Sequence, residues 1–247
     1  MGAQVDIVAE VHQLLDRRPD VGAVLDLKGP FGDFSAFAGA LFRSICGSAV
    51  GALVAQTYAQ SSDVIDVSVR DITQTALRNF EPGGVATTVL FSRGVQAMMG
   101  HRVAHQLWTN GDYDMALALK AAFGRVFATD IHPAARIGAG MWLDHGVGFV
   151  VGETAVIGKD VSIWHNVTLG STLTDSGPNR HPRVGDCAVI GAGAILLGDI
   201  DIGEGANIAA GAIVVSDVPA YTTMVGAKGR NVGAAKVSFA PARKGYS

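Results

Sequence analysis

The feature that most limits how this chain can fold is a six-residue repeat that begins near residue 130. Each hexapeptide can form a short strand and a turn, three of them complete one triangular coil, and successive coils pair their backbones at about 4.8 Å. The repeat therefore predicts a prism of stacked coils whose aliphatic positions point inward. These positions are Ile131, Ile137, Leu143, Val151, Ile157, Ile163, Leu169, Val184, Ile190, Leu196, Ile202, Ile208 and Val214.

The repeat is broken in two places, and each break carries a histidine. At the first break the step is eight residues instead of six, and the extra residues adjoin Asp144 and His145. The second break is the insertion GSTLTDSGPNRHPR, which carries Arg180 and His181 and predicts a surface loop,. Taken singly, these residues also fit an ordinary solvated surface. Because both histidines fall where the repeat breaks, and loops on rigid scaffolds often carry function, we interpret the breaks as a candidate site.

The first half of the chain has a helical pattern, with apolar residues at three- and four-residue spacing. His101 and His105 stand one helical turn apart, but packing is favoured over metal binding because no third ligand has a motif,. The apolar stripes are interpreted as core faces. The predicted helices cover residues 5–18, 33–60 with a break near Gly47 or Gly51, 61–80, 93–108 and 112–128.

Composition and charge exclude several classes of function. The net charge is -3 and aromatic residues make up 7% of the chain, which argues against a nucleic-acid or anionic membrane partner,. The sequence lacks a secretory signal pattern and an apolar run of about 20 residues, so a cytoplasmic protein is expected. Cys46 and Cys187 lie far apart in dissimilar sequence and are expected to be free thiols,.

Three stretches of the sequence resemble a known family. HRVAHQLW, DIHPAARIGAGMWLDHGVGFVVGETAVIGKDVSI and NRHPRVGDCAVIGAGA together resemble the serine O-acetyltransferases, which are hexapeptide-repeat acyltransferases. The resemblance implies an α+β fold: an N-terminal α-helical domain over residues 1–128, a left-handed parallel β-helix with a protruding loop over 129–233, and a C-terminal tail over 234–247. The left hand rests on the resemblance alone, because crossovers between parallel strands are usually right-handed.

The resemblance implies a catalytic role for three residues. His145 is expected to be the base that takes the proton of the acceptor hydroxyl during attack on a thioester. Asp130 is expected to orient His145, which would favour one tautomer and stabilise the imidazolium as it forms. His181 is expected to assist at the tetrahedral intermediate.

The same resemblance implies how an amino acid and acetyl-CoA are held. Asp144 is expected to bind the substrate ammonium, and Arg180 and His181 its carboxylate. Glu81 stands near the place of an aspartate that helps to bind the amino group in the family, which leaves open whether the acceptor is L-serine. The residues expected to line the acetyl-CoA site are Ser171 at the thioester end, Ala192 and Ala210 through their backbones, and Lys228 or Arg230 at the nucleotide phosphates.

Further expectations concern assembly and partners. The resemblance implies a homotrimer or a dimer of trimers, with active sites between neighbouring subunits and inhibition by cysteine. The tail FAPARKGYS lacks the terminal isoleucine of the family, which argues against a complex with cysteine synthase. No metal is expected, because the thioester is already activated.

The favoured function is acetyl transfer from acetyl-CoA to the hydroxyl of L-serine, which gives O-acetylserine for cysteine biosynthesis. One alternative keeps the chemistry and changes the acceptor to homoserine or a serine-derived intermediate. Another is a non-catalytic scaffold of sulfur assimilation. A zinc-dependent β-helical carbonic anhydrase is not favoured, because His145, His165 and His181 do not have its ligand spacing,.

Overall fold

The computed structural model describes residues 6–79, 82–172, 174 and 177–231. Within these residues, helices fill the first half of the chain and short strands fill the second. The helices are α1 (Ile7–Arg17), α2 (Pro19–Val24), α3 (Phe34–Cys46), α4 (Ser48–Gln60), α5 (Ser62–Arg78), α6 (Gly84–Phe91), α7 (Arg93–Thr109) and α8 (Tyr113–Phe127).

Local sequence signals set several of the helix ends. Asp6, Asp33 and Ser92 stand at N-cap positions, and each side chain accepts a hydrogen bond from the backbone N–H three residues later,. Gly47 has a φ of 94° and separates α3 from α4. The predicted break in this long helical stretch is therefore confirmed, and it lies at Gly47 because glycine adopts positive φ without a steric penalty.

Two helices, α2 and α6, are not predicted by the sequence patterns. The helix α2 is only six residues long and begins at Pro19, a residue that suits the first helical position,. The sequence of α6, GVATTVLF, is apolar on most sides because α1, α5 and α7 cover it. A helix surrounded by protein has no polar face, so its sequence lacks the period on which prediction depends.

The strands are two or three residues long and parallel. They are β1 (Asp130–Ile131), β2 (Arg136–Ile137), β3 (Trp142–Leu143), β4 (Val150–Val151), β5 (Val156–Ile157), β6 (Ser162–Ile163), β7 (Thr168–Gly170), β8 (Arg183–Val184), β9 (Val189–Ile190), β10 (Ile195–Leu197), β11 (Asp201–Ile202), β12 (Asn207–Ile208), β13 (Ile213–Val214) and β14 (Thr223–Met224).

The strands form three sheets, which make the sides of a three-sided β-helix. Sheet A has the order β1-β4-β7-β10-β13, sheet B has β2-β5-β8-β11, and sheet C has β3-β6-β9-β12-β14. Consecutive strands lie in different sheets, so the chain passes A, B, C and then returns to A one coil further along. We call the turn from sheet C to sheet A the C–A corner, and the turn from sheet A to sheet B the A–B corner.

The interior of the β-helix is filled by the aliphatic residues that the repeat places there. All thirteen predicted inward positions are buried, and the most exposed of them, Ile137, has a relative exposure of 8%. Eight small or aliphatic residues four positions later are buried as well: Ala135, Ala155, Val161, Val167, Ala188, Ala194, Ala206 and Ala212. The inward orientation predicted from the six-residue period is thus confirmed.

A buried ion pair joins the helices to the first coil, and we call it the seam. Arg102 Nε lies 3.0 Å from Asp71 Oδ2, and the Arg102 guanidinium also donates to the carbonyl oxygens of Ile137 and Gly138. Asp71 Oδ1 accepts from the backbone N–H of Gly140 at 2.7 Å. No coil precedes the first one, so its peptide groups need partners from the helices. Burial raises the pKa of Asp71, and the Arg102 guanidinium opposes that shift.

The predicted boundary between residues 128 and 129 falls between α8 and β1. The buried side chains of the helices and of the β-helix form one continuous cluster, and the division into separate domains stays a prediction. Cys46 and Cys187 are free thiols, as predicted. Among the described helices, none is both long and apolar enough to cross a membrane.

Candidate active site

The eight-residue step in the repeat enlarges the C–A corner that follows β3. His145, Gly146 and Gly148 all have positive φ there, at 61°, 77° and 71°. The corresponding corners of the later coils hold one such residue each: Asn166, Gly193 and Gly211. A non-glycine residue in this conformation is uncommon and is often found at functional sites. The corner carries His145 outward, and its side chain is 67% exposed.

Asp144 and His145 contact one another at this corner. His145 Nε2 lies 3.2 Å from Asp144 Oδ2, and the Asp144 side chain is 18% exposed. A carboxylate beside an imidazole can orient the ring and stabilise the cation that forms when the ring takes up a proton. The pair therefore has the chemistry of a general base, and its partly buried carboxylate can also bind a cation.

A cavity of about 670 Å³ opens over Asp144 and His145, between the β-helix and the helices. The start of α7 closes one side and contributes Ser92 and Arg93. Gly94 makes this close approach possible, because a Cβ at that position would lie 1.8 Å from the carbonyl oxygen of Leu143. The volume is in the range of small-molecule sites, so the cavity can hold a substrate.

Two residues of this cavity, His165 and Arg93, are not among the predicted site residues. The ring centroids of His165 and His145 are 5.5 Å apart, and the buried Nδ1 of His165 has no hydrogen-bond partner among the described residues. Leu143 pairs with Ile163, so the corners that carry His145 and His165 are neighbours in successive coils, with His145 in the two-residue extension and Val147 bonded to the backbone N–H of Asn166. Aligning the hexapeptides by register would have found His165. Arg93 required the packing of α7, which no local pattern reveals.

The insertion places Arg180 and His181 at the A–B corner. The Arg180 guanidinium contacts the carboxylate of Glu153, and this hydrogen bond lowers the pKa of Glu153. His181 is buried, and its Nδ1 accepts from the backbone N–H of Thr154 at 3.2 Å. Since Nδ1 is an acceptor, the proton of the neutral ring is on Nε2. Gly152 provides the space, because a Cβ there would lie 1.9 Å from His181 Nε2.

Within one chain, the predicted site residues lie at two different corners. His145 and Asp144 lie at the C–A corner, whereas Arg180 and His181 lie at the A–B corner, and none of the described insertion residues lines the His145 cavity. Asp130 begins sheet A, and its Oδ1 contacts Lys120 Nζ. The roles of Asp130, Arg180 and His181 toward His145 therefore stay predictions.

The residues predicted to bind acetyl-CoA fall into two groups. Ala192 and Ala210 stand level with His165 in later coils and line one groove of about 390 Å³. Ser171 is exposed and follows β7 on the far side of sheet A, and Lys228 is exposed beyond β14. Glu81 lies outside the described residues, as does the tail over 234–247. In the described part of the chain, no group of three or more His, Cys, Asp or Glu is placed to hold a metal.

Comparison with known proteins identifies the family. No protein-family model matches the chain. A serine acetyltransferase of Escherichia coli strain K12 is 42% identical over 185 residues, which are 75% of this chain and 67% of that protein. The chain belongs to the serine acetyltransferase family. Serine acetyltransferase 2 of Arabidopsis thaliana is 48% identical over 141 residues, but the chain spans only 43% of that relative's length.

Solved structures of the family have the same fold. Serine acetyltransferase of Neisseria gonorrhoeae in complex with serine superposes with a TM-score of 0.79 at 34% identity, covering 92% of this chain and 95% of that chain. The enzyme of Brucella abortus strain S19 in complex with coenzyme A has the same TM-score and identity, covering 92% and 94%. The predicted fold, helices followed by a left-handed parallel β-helix, is confirmed.

Proposed function

We propose that the protein transfers the acetyl group of acetyl-CoA to the side-chain hydroxyl of L-serine and so produces O-acetylserine. The observation that carries the proposal is the Asp144–His145 pair in its cavity, at the same corner of the β-helix as the groove of Ala192 and Ala210. Two family members of known structure, one in complex with serine and one with coenzyme A, support the two substrates.

L-Serine takes over the contact that Asp144 and His145 make with each other. Its ammonium binds the Asp144 carboxylate, and its hydroxyl then faces His145 Nε2, the ring nitrogen nearest that carboxylate. A cation on a partly buried carboxylate forms a charge-assisted hydrogen bond, which is stronger than a neutral one. The substrate thus positions its own hydroxyl at the base.

The chemical step needs one base and no oxidant or metal. His145 Nε2 takes the hydroxyl proton as the serine oxygen bonds to the thioester carbonyl carbon. The tetrahedral intermediate then expels the CoA thiolate, which receives the proton from the imidazolium. The products are O-acetylserine and CoA, and His145 returns to its neutral form.

Asp130 is expected to bind the other ring nitrogen of His145, Nδ1. It begins sheet A, directly below Val150, at the coil from which the C–A corner rises. Lys120 contacts Oδ1 of Asp130, and a carboxylate can accept several hydrogen bonds, so Asp130 can also accept from His145 Nδ1 when the exposed ring turns,. An acid on Nδ1 leaves Nε2 as the base.

The site is completed by a second copy of the chain. Sheet A lies between the two corners, and its last coil exposes two apolar side chains: Ile213 and Val215 are 68% and 63% exposed. An exposed apolar face of this kind is typical of an interface. A copy packed on sheet A places its A–B corner, with Arg180 and His181, near the C–A corner of its neighbour. Such a head-to-tail contact closes into a ring, which supports a trimer.

The oligomeric state can be tested at this face. Ile213→Asp places a charge on the apolar surface, so we expect the trimer to dissociate and turnover to be lost together. Light scattering after size exclusion, with Arg136→Asp on the outward face of sheet B as the control, measures the first effect. A monomeric Ile213→Asp variant with full activity would contradict the shared site.

The activity itself is tested by thiol release from acetyl-CoA. We expect CoA release that depends on L-serine, with a higher kcat/KM than for homoserine, threonine or O-substituted serines. Tight CoA binding without release in the presence of any hydroxy amino acid would favour the non-catalytic scaffold instead. A higher kcat/KM for homoserine than for L-serine would identify homoserine as the acceptor, with the same mechanism.

A further inference from the structure

We propose that the indole of Trp164 forms an apolar wall of the acetyl-CoA groove, at its end nearest His145, and packs against the cysteamine and β-alanine part of the pantetheine arm. The inference rests on the proposed use of acetyl-CoA and adds a residue to that site. Trp164 follows β6 on sheet C and is half-buried. It lines the groove of about 390 Å³ together with Ala192 and Ala210.

The register of sheet C places Trp164 beside the line from the base to the groove. Ile163, Ile190 and Ile208 are paired partners, so the residues that follow them, Trp164, Gly191 and Ala209, stand level. The next residues along, His165, Ala192 and Ala210, form the neighbouring row at the C–A corner. At about 4.8 Å per coil, the row from His165 to Ala210 spans about 10 Å, and the corner of His145 lies one coil before it. An extended arm whose thioester lies at His145 follows this row.

The shape of the groove also fits this occupant. Its floor is low because Gly191 has no side chain, and a Cβ there would lie 2.5 Å from the backbone nitrogen of Ala210. Trp164 is therefore a tall apolar wall next to a floor of small residues. Pantetheine has two amides that can bond to a backbone, and its methylene groups between the sulfur and the second amide need an apolar contact. The groove offers both.

Trp142 provides a matched control for the role of Trp164. The two indoles pack with their ring centroids 5.0 Å apart and their planes at 60°. Both lie on the outer side of sheet C, and both are half-buried. Only Trp164 lines the groove. A purely structural pair would make the two residues equivalent, whereas a ligand contact makes them different.

The first arm of the test uses fluorescence, because the chain has three tryptophans, Trp108, Trp142 and Trp164. In the variant W108F/W142F, emission comes from Trp164 alone. We expect CoA to protect this residue from quenching by acrylamide, and adenosine 3′,5′-bisphosphate, which lacks pantetheine, to give no protection. In W108F/W164F we expect CoA to leave the quenching of Trp142 nearly unchanged. Equal protection of both residues, or none by CoA, would overturn the proposal.

The second arm compares acetyl donors of different length. Trp164→Leu keeps an apolar side chain, and we expect it to raise the KM for acetyl-CoA about tenfold with little change in kcat, a loss of about 1.4 kcal/mol. The same rise is expected with S-acetylpantetheine and with S-acetyl-N-acetylcysteamine, because both keep the cysteamine part of the arm next to the thioester. A rise for acetyl-CoA alone, or an equal effect of Trp142→Leu, would contradict a contact near the thioester end of the arm.

The two arms also separate this inference from the proposed function. The fluorescence measurement needs no acceptor, so protection by CoA in a protein that acetylates no amino acid would keep the inference and reject the activity. Serine-dependent turnover in a protein whose Trp164 is still quenched in the presence of CoA would support the activity and reject the inference about Trp164.

Discussion

The seam and the C–A corner both pair an aspartate with a basic side chain, but the charged groups have many hydrogen-bond partners at the seam and few at the corner. At the seam, Asp71 and Arg102 are buried and bonded to each other and to backbone groups of the first coil. At the corner, Asp144 and His145 share one contact of 3.2 Å, and the imidazole is largely exposed.

The difference separates groups that hold the structure from groups that are available for chemistry. A buried charge that loses its partner costs several kcal/mol, so a pair of this kind is tied to folding. An exposed pair adds little to stability, and its unused hydrogen-bonding capacity is open to a ligand. We therefore expect substitutions at the seam to change stability and substitutions at the corner to change turnover.

The largest expected effect is at the corner. His145→Ala removes the base, so we expect kcat to fall about a thousandfold, the scale of general base catalysis. The melting temperature should stay close to that of the unaltered protein, because the side chain is exposed. Steady-state thiol release and thermal unfolding give the two numbers. Turnover within a few-fold of that of the unaltered protein would show that the corner does not supply the catalytic base.

The next effect is at the seam and is one of stability. Asp71→Ala leaves the Arg102 guanidinium buried without its carboxylate, so we expect the free energy of unfolding to fall by about 3–5 kcal/mol. Urea unfolding measures it. The control is Asp20→Ala at the exposed pair of Arg18 and Asp20, which should leave the midpoint unchanged,. Similar unfolding midpoints for the two variants would show that the buried pair at the seam contributes no more to stability than an exposed pair.

A smaller effect separates the two aspartates assigned near His145. Asp144→Asn weakens the ammonium site, so we expect the KM for L-serine to rise about tenfold or more while kcat changes less. Asp130→Asn removes the support of the imidazole, so we expect kcat to fall about a hundredfold while KM changes less. Initial rates over a range of serine concentrations separate the two. The opposite pattern would assign the support of His145 to Asp144.

The smallest effect concerns the pH dependence of stability at His101. Burial lowers the pKa of His101 well below its usual value. The neutral ring therefore stabilises the folded state at pH values above about 6.5, and this contribution is lost as the pH falls. Below that pH, we expect the unaltered protein to lose up to about 1.4 kcal/mol more per pH unit than His101→Phe does. Parallel urea titrations at pH 7.5 and 5.5 would show it, and identical slopes would contradict it.

Much of the fold could be predicted because each coil repeats one local rule. An aliphatic residue every six positions gives the interior of the β-helix, and a break in the period gives the enlarged corner at His145. The caps at Asp33 and Ser92 were not among the predictions, although they too depend on local backbone needs. The left hand of the coil did not follow from any local rule and came from the family resemblance.

What the sequence did not reveal depends on contacts between distant segments. The seam joins Asp71 of α5 to Arg102 of α7, and no spacing relates them. The position of Arg93 over the cavity depends on Gly94, because only glycine lets α7 approach Leu143 so closely. The sequence does not show that these two segments are in contact. His145 is separated from Arg180 and His181 because their turns lie at different corners of the β-helix. The repeat does not show that these residues act on one substrate within one chain.

The central claim is that His145 takes the proton from the acceptor hydroxyl beside a bound thioester. A crystal structure of the protein with CoA and L-serine tests it most directly. We expect the serine hydroxyl oxygen at about 2.6–3.2 Å from His145 Nε2, the ammonium on Asp144, and the CoA sulfur next to the same hydroxyl. An imidazole turned away from both ligands, with no carboxylate in contact with it in any subunit, would contradict the account.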